Sequence, residues 1–341
     1  MKAIIMAGGE GTRLKSVTGD LPKPMVRLCG RPVLEHILNL LKRSGITEAC
    51  ITLRYHPEVI RDYFGNGSRF GMRLQYHEEA EPLGTAGGVR ACGDYFAGQD
   101  GLVISGDCAC DLNLKALMEA HRRHRPAVTM ALYAHPQPLQ YGIVLTDRMD
   151  RVVSFVEKPD WSRVVSDLVN TGIYVLSPAA LALIPEGQPY DFAKDLFPKL
   201  LECGHEIRGI SLPGYWCDIG TPRAYHRCNL DALDGKLHLE DVPEEALPQP
   251  GYTTRPDAGT QQLYRCRSRA RLMRALSQML MEAGAEFGDG LQLQNELGRV
   301  QIHPAADDEA LVISAQAADP ARSDDLVKGF TALVKGLDQQ S

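Results

Sequence analysis

A short apolar run that breaks at once into a cluster of glycines constrains this chain more than any other feature. Lys2-Ala3-Ile4-Ile5-Met6-Ala7 leads into Gly8-Gly9-Glu10-Gly11-Thr12-Arg13-Leu14, and Leu21-Pro22-Lys23-Pro24-Met25 follows. The apolar run reads as a parallel strand buried on both faces. Glycines at 8, 9 and 11 leave the backbone bare, so N–H groups can close on a polyanion. Arg13 adds a planar fork of donors and Lys23 a point charge. The stretch therefore reads as a loop along which a nucleoside triphosphate lies. The plainer alternative is a tight strand-to-helix turn with exposed basic residues, since short glycine motifs recur widely. The spacing fits neither G-x-G-x-x-G nor G-x-x-x-x-G-K-[ST].

The first half of the chain alternates strand and helix signals. Pro32 opens a helix that Gly45 ends, with Leu34, Ile37, Leu38 and Leu41 on one face. Ala49–Leu53 reads as a strand, 57–64 as a helix closed by Gly65, and Leu74–Tyr76 as a third strand. Gly101–Ser105 is a fourth strand, Asn113–His124 a helix, and Val128–Tyr133 a strand again. Such alternation implies right-handed crossovers and a mostly parallel sheet. Ligands on such sheets sit beyond the carboxyl ends of the strands, where both the glycine loop and Gly106-Asp107 fall.

Four more stretches carry chemistry. In Pro82-Leu83-Gly84-Thr85-Ala86-Gly87-Gly88, small residues opening a helix leave room for a flat ring and offer it backbone donors and acceptors. In Ser105-Gly106-Asp107-Cys108-Ala109-Cys110-Asp111, a carboxylate just past a buried strand suits Mg²⁺, a hard cation that takes oxygen ligands. An N-cap role for Asp107 competes, but Asn113 and Asp111 can supply that cap. Gly142–Leu145 and Arg151–Val156 flank a polar corner and read as a hairpin, followed by Glu157-Lys158-Pro159 and Asn170-Thr171-Gly172. In Tyr215-Trp216-Cys217-Asp218-Ile219-Gly220-Thr221-Pro222, Thr221 and Pro222 look like the N-cap and first position of a helix running to Leu233. Asp218 taken alone is equally an Asx-turn residue before that helix.

Gly-Gly-x-Gly-Thr-Arg-Leu with Pro-Lys-Pro-Met downstream resembles the signature of the nucleoside-diphosphate-sugar pyrophosphorylases, which are sugar-1-phosphate nucleotidyltransferases. Trp-x-Asp-Ile-Gly-Thr-Pro is similarly specific to them, and the motifs fall in family order across residues 1–235. One departure is Ser16, where the family usually has proline; a small change in loop stiffness follows. The resemblance implies a Rossmann-like α/β fold with a mixed, mostly parallel sheet flanked by helices. It makes Arg13 and Lys23 catalytic, puts nucleotide on Gly8, Gly9, Gly11, Thr12, Gly84, Thr85 and Ala86, and Mg²⁺ on Asp107 and Asp218. Gly142, Glu157, Lys158 and Asn170 would take the sugar phosphate. The implied reaction is in-line attack of a sugar-1-phosphate oxygen on the α-phosphorus of a nucleoside triphosphate, with pyrophosphate leaving. No protein nucleophile is required; positioning and charge neutralisation do the work.

Composition shifts after Asp234. Residues 236–263 hold several prolines and acidic residues without a sustained period and read as a linker between a domain at 1–235 and another at 264–341. In the second domain Leu272, Leu276, Met279, Leu280 and Ala283 form a helical stripe on Arg267–Ala283. Leu291–Leu293, Val300–Ile302 and Leu311–Ala315 read as strands, and Pro320–Leu337 as a helix with Leu326, Phe330, Leu333, Val334 and Leu337 on one face. This small α+β pattern resembles the C-terminal domain of the phosphohexomutases (phosphomannomutase type). Their phosphate loop is rich in hydroxyls, whereas His303–Glu309 carries three acids and none, so mutase activity is not expected.

The tail and the Leu-Gly-Thr-Ala-Gly form of the base loop point to GTP with mannose-1-phosphate. UTP or dTTP with glucose-1-phosphate, or a non-catalytic protein that senses sugar nucleotides or mediates assembly, are the alternatives; a homo-oligomer is a further expectation. A net charge of −6 and pI near 5.9 argue against a nucleic-acid partner. No secretory signal and no apolar run near the ~20 residues of a membrane span is visible. Nine scattered cysteines, with Cys108 and Cys110 the one close pair, read as reduced thiols in a cytoplasmic protein; Cys217 stands out as the neighbour of Asp218.

Overall fold

The computed structural model describes all residues except 136–137, 158–163, 165, 241–259, 282, 288–289, 296, 306–309, 318 and 341. The chain forms two compact units, one of residues 1–133, 146–153 and 171–249, the other of 134–145, 154–170 and 250–341.

The first unit is built on β1 (Ala3–Met6), whose Ala3, Ile4 and Ile5 are fully buried, as an apolar strand flanked on both sides must be. It runs parallel to β2 (Glu48–Leu53) on one side and to β3 (Gly101–Ser105) on the other. A further parallel strand, β4 (Arg73–Glu78), extends the sheet beyond β2. Antiparallel pairing of Ile173–Leu176 with 101–104 completes a mixed, mostly parallel sheet. Ile207–Ser211 and Val128–Leu132 add a further parallel pair. Helices cover it as the periodicity predicts. α1 (Val33–Arg43) buries Leu34, Ile37, Leu38 and Leu41; α2 (Pro57–Phe64) ends at Gly65; α3 (Leu114–His124) is capped by Asn113, whose side chain accepts from Ala116 N.

The second unit draws on more of the chain than expected. Strands Gly142–Thr146 and Val152–Glu157 pair as the predicted hairpin, of which residues 142–145 and 154–157 fall in this unit. Among the described residues the C-terminal part holds five antiparallel strands rather than the three expected: Thr260–Arg265, Ala310–Gln316, Gly298–Pro304, Leu291–Asn295 and Glu286–Phe287, in that spatial order. Thr260–Leu263, read as linker, is strand because Gln262 and Tyr264 pair with Ile313 and Leu311. The rest of the linker within 241–259 lies outside the described residues. Helices Arg269–Met281 and Pro320–Gln340 pack Leu272, Met273, Leu276, Val327 and Val334 against Ile302, Leu311 and Ile313. Met279, placed in the apolar stripe by spacing, is 39% exposed, and Ala283 follows the helix as an exposed turn residue. Ile143 and Val164 enter the same core, and Arg269 pairs with Asp167 at 3.5 Å. Those contacts explain why segments at 134–145 and 154–170, read as part of the first domain, belong to the second unit.

Among the described residues no helix is long and apolar enough to cross a membrane.

Candidate active site

The loop after β1 holds its shape with few internal bonds. Gly11 has φ of 63°, and Leu14 N donates to Gly11 O at 2.9 Å, closing a turn over Thr12–Leu14. Among the described residues none accepts a hydrogen bond from the N–H of Gly8, Gly9 or Gly11. Bare donors of that kind suit a polyanion. Arg13 projects from this turn, 62% exposed.

Lys23 sits in a short turn (Lys23–Met25) between Pro22 and Pro24. The two rings fix the backbone on either side of it. Its stem lies against the bare Cα of Gly11; a Cβ there would stand 2.8 Å from Lys23 Cβ. The ammonium reaches Asp107 Oδ2 at 2.8 Å and Asp218 Oδ1 at 2.7 Å, with the side chain 7% exposed. Burial alone would lower the Lys23 pKa, but the charges and hydrogen bonds of Asp107 and Asp218 outweigh it, and the net shift is upward.

A strand pairing that no local pattern signals brings the two aspartates together. Cys108–Cys110 is a three-residue strand antiparallel to Trp216–Asp218, with Asp218 opposite Cys108. Asp107 precedes the first strand and Asp218 ends the second, so both carboxylates emerge at the same end. Arg13 Nη2 lies 4.0 Å from Asp218 Oδ2. The helix behind Asp218, Pro222–Leu233, is capped by Thr221, whose hydroxyl accepts from Ala224 N. Asp111 is structural: its carboxylate accepts from Tyr215 N at 2.6 Å and His238 N at 2.9 Å. All nine cysteines are free thiols, Cys217 among them.

Two carboxylate oxygens converging on one point 2.7–2.8 Å away form a donor set for a hard divalent cation. Mg²⁺ typically takes one or two carboxylates and completes its shell with phosphate and water. Among the described residues no cluster of three or more acidic, His or Cys side chains offers an all-protein cage.

The expected base loop opens the helix Gly84–Ala91, but its donors are partly taken. Ala86 N and Gly87 N both donate to Tyr190 O, at 2.9 and 3.0 Å, and Tyr190 N returns a bond to Leu83 O. The Thr85 hydroxyl donates to Asp191 Oδ2 and accepts from Phe192 N. Thr85 and Ala86 therefore anchor this helix start to a segment a hundred residues on, which local spacing does not reveal. A residue outside the sequence-derived set, Glu79, fills the space between the two loops. Its carboxylate lies beside Gly8 and Gly88: a Cβ on either would be 3.6 and 2.4 Å from Oε1. Leu83 N donates to Oε2 at 3.3 Å, and burial pushes the carboxyl pKa up. An acid just past the end of a strand was the only available signal; its partial burial is visible in the structure alone.

The sugar-phosphate set lies in the second unit. Gly142 stands so close to Phe155 and Glu157 that a Cβ would meet Phe155 Cζ at 2.4 Å and Glu157 Oε2 at 2.8 Å. Val169 is opposite Ile143 in an antiparallel pair, which brings Asn170 level with Gly142. Gly142, Glu157 and Asn170 thus gather on adjacent strands, while Lys158 lies outside the described residues.

Comparison with known proteins follows the same lines. Residues 2–235 match the family model described as nucleotidyl transferase. A UTP–glucose-1-phosphate uridylyltransferase of Synechocystis is 33% identical over 71% of this chain and 66% of its own. A mannose-1-phosphate guanylyltransferase of Mycobacterium tuberculosis is 35% identical over 68% of this chain and 65% of its own. The chain thus spans just under two thirds of the length of these relatives. The crystal structure of HddC from Yersinia pseudotuberculosis complexed with GMP-PN superposes with a TM-score of 0.59 at 29% identity, covering 68% of this chain and 99% of that one. Matched over its whole N-terminal portion, and carrying the glycine loop and both carboxylates in one site, this chain belongs to the nucleotidyl transferase family.

Proposed function

We propose that this chain transfers a nucleoside monophosphate from a nucleoside triphosphate to a sugar-1-phosphate, releasing pyrophosphate, with GTP and mannose-1-phosphate as the preferred pair. The convergence of Lys23, Asp107 and Asp218 beside the bare glycine loop carries this reading. A pure sensor of sugar nucleotides has no need of two carboxylates around one cation position.

The chain's own residues supply binding and charge. Gly8, Gly9, Gly11 and Thr12 hold the triphosphate through backbone donors. Arg13 and Lys23 neutralise charge on it, Lys23 most where charge builds in the transition state. Asp107 and Asp218 would hold Mg²⁺, which when bound supplies Lewis-acid polarisation of phosphoryl oxygens. Gly142, Glu157 and Asn170, with Lys158 on the phosphate, orient the sugar.

Glu79 supports guanine. A carboxylate accepts from the adjacent N1–H and N2–H₂ of guanine in one bidentate pair. Uracil and thymine present a single N3–H between two carbonyl oxygens, which a carboxylate repels. Gly84, Thr85 and Ala86 open the helix against which Glu79 packs, and are proposed to border the base. UTP with glucose-1-phosphate is the second reading, favoured by the name of the Synechocystis relative. The C-terminal sheet and helices are proposed as a phosphohexomutase-like module without mutase turnover, serving assembly of a homo-oligomer. The free thiols support a cytoplasmic setting.

The test is a matrix of nucleoside triphosphates against sugar-1-phosphates with Mg²⁺, read by pyrophosphate release. GTP with mannose-1-phosphate should give the highest kcat/KM. A UTP or dTTP winner overturns the base assignment, and no turnover with any pair overturns the enzyme.

A further inference from the structure

We infer that Lys23 is an exchangeable internal cation: in the free protein its ammonium fills the divalent-metal position between Asp107 and Asp218, and leaves it only when a triphosphate offers a new anionic partner. This rests on the two-carboxylate reading above and adds to it a coupling between metal and nucleotide.

The geometry is specific. One ammonium lies 2.7 and 2.8 Å from oxygens of two different carboxylates, and it is the most enclosed of the three groups, 7% exposed against 38% and 27%. An ammonium donates up to three hydrogen bonds and accepts none, so it substitutes for a cation at this point and cannot share it with one. Its stem is guided there by the bare Cα of Gly11 and by the prolines at 22 and 24. A divalent ion arriving alone must expel a buried, doubly paired lysine from both carboxylates with no phosphate to receive it. Arg13, the other cation at hand, already faces Asp218 at 4.0 Å and adds to the repulsion.

A triphosphate changes that balance. Lying along the glycine loop, it brings oxygens to which the Lys23 ammonium can turn, so the carboxylates are released as the phosphates are bound. Asp107 and Asp218 would then be free to hold the metal. By linkage, whatever the nucleotide adds to metal affinity the metal adds to nucleotide affinity. The device also keeps the two carboxylates neutralised and in place before substrate arrives, with no bound metal required.

The readout is Mn²⁺ affinity with no nucleotide present, measured by electron paramagnetic resonance on the full chain. Lys23→Met should bind Mn²⁺ at least about tenfold more tightly than wild type, within the usual range of coupling between two sites. Lys23→Arg, which keeps a cation between the carboxylates, should retain the weak wild-type affinity. Asp218→Asn placed on Lys23→Met should remove the gain. Where Lys23→Met does not fold, Lys23→Gln, whose amide still hydrogen-bonds a carboxylate, gives the same comparison. Equal Mn²⁺ affinity in wild type and Lys23→Met overturns the exchange while leaving the metal pair intact. Absence of Mn²⁺ binding from every variant overturns both.

Discussion

Replacing Gly11 by alanine tests whether the bare Cα is what lets Lys23 reach the two aspartates. Two costs follow from the structure. The backbone at Gly11 has φ of 63°, and an L-residue held in that left-handed region costs roughly 1 kcal/mol. The new Cβ would also stand 2.8, 3.3 and 3.4 Å from Lys23 Cβ, Cγ and Cδ, closer than the stem tolerates, so loop or stem must shift. A shift of the stem weakens at least one of the two charge-assisted bonds to Asp107 and Asp218, each worth about 1.5–3 kcal/mol, with the lower end apt for carboxylates open to solvent. The total is about 2–4 kcal/mol, or roughly 5–15 °C in the melting temperature of a unit of this size. Gly9→Ala is the internal control: nothing lies within 4 Å of its added Cβ, and its φ is not left-handed, so it should cost no more than about 0.5 kcal/mol. Thermal unfolding by circular dichroism on both variants checks the difference. If Gly11→Ala melts within about 2 °C of Gly9→Ala, the close approach does not hold Lys23 where it is.

Glu79→Gln should lower kcat/KM for GTP by roughly 10- to 100-fold and raise it for UTP, because an amide offers one acceptor and one donor, matching N3–H and O4 of uracil; an unchanged preference would remove Glu79 from the base pocket. Lys23→Ala should reduce kcat more than it raises KM, and a purified variant with near-native turnover would end its assignment to the transition state. Burial lowers the pKa of His36 below the ordinary 6.5, its ring 2.8 Å from Leu28 O. The unfolded chain then binds the extra proton first, so stability present above 6.5 is lost as pH falls below it. His36→Gln should flatten part of that fall in a melting-temperature series, and an unchanged slope would show that other groups carry it.

Much of the first unit follows from local chemistry. The apolar run before Gly8 forms the central strand, Asn113 and Thr221 cap their helices, and Gly65 ends its helix, because strand burial, capping and left-handed glycine are settled by a few neighbouring residues. Likewise the identity of Arg13, Lys23, Asp107 and Asp218 as chemical groups was legible in their motifs. What joins them was not. Only the pairing of Cys108–Cys110 with Trp216–Asp218, across more than a hundred residues, sets the two carboxylates around one ammonium. Likewise Tyr190 and Asp191 occupy donors of the base loop, Ile143 and Val164 enter the C-terminal core, and Thr260–Leu263 leaves its expected linker for a sheet edge. Each is a contact between segments far apart in the chain. Residue spacing encodes which face of an element is apolar or polar, but not which distant partner that face meets, since the partner is chosen by the packing of the whole.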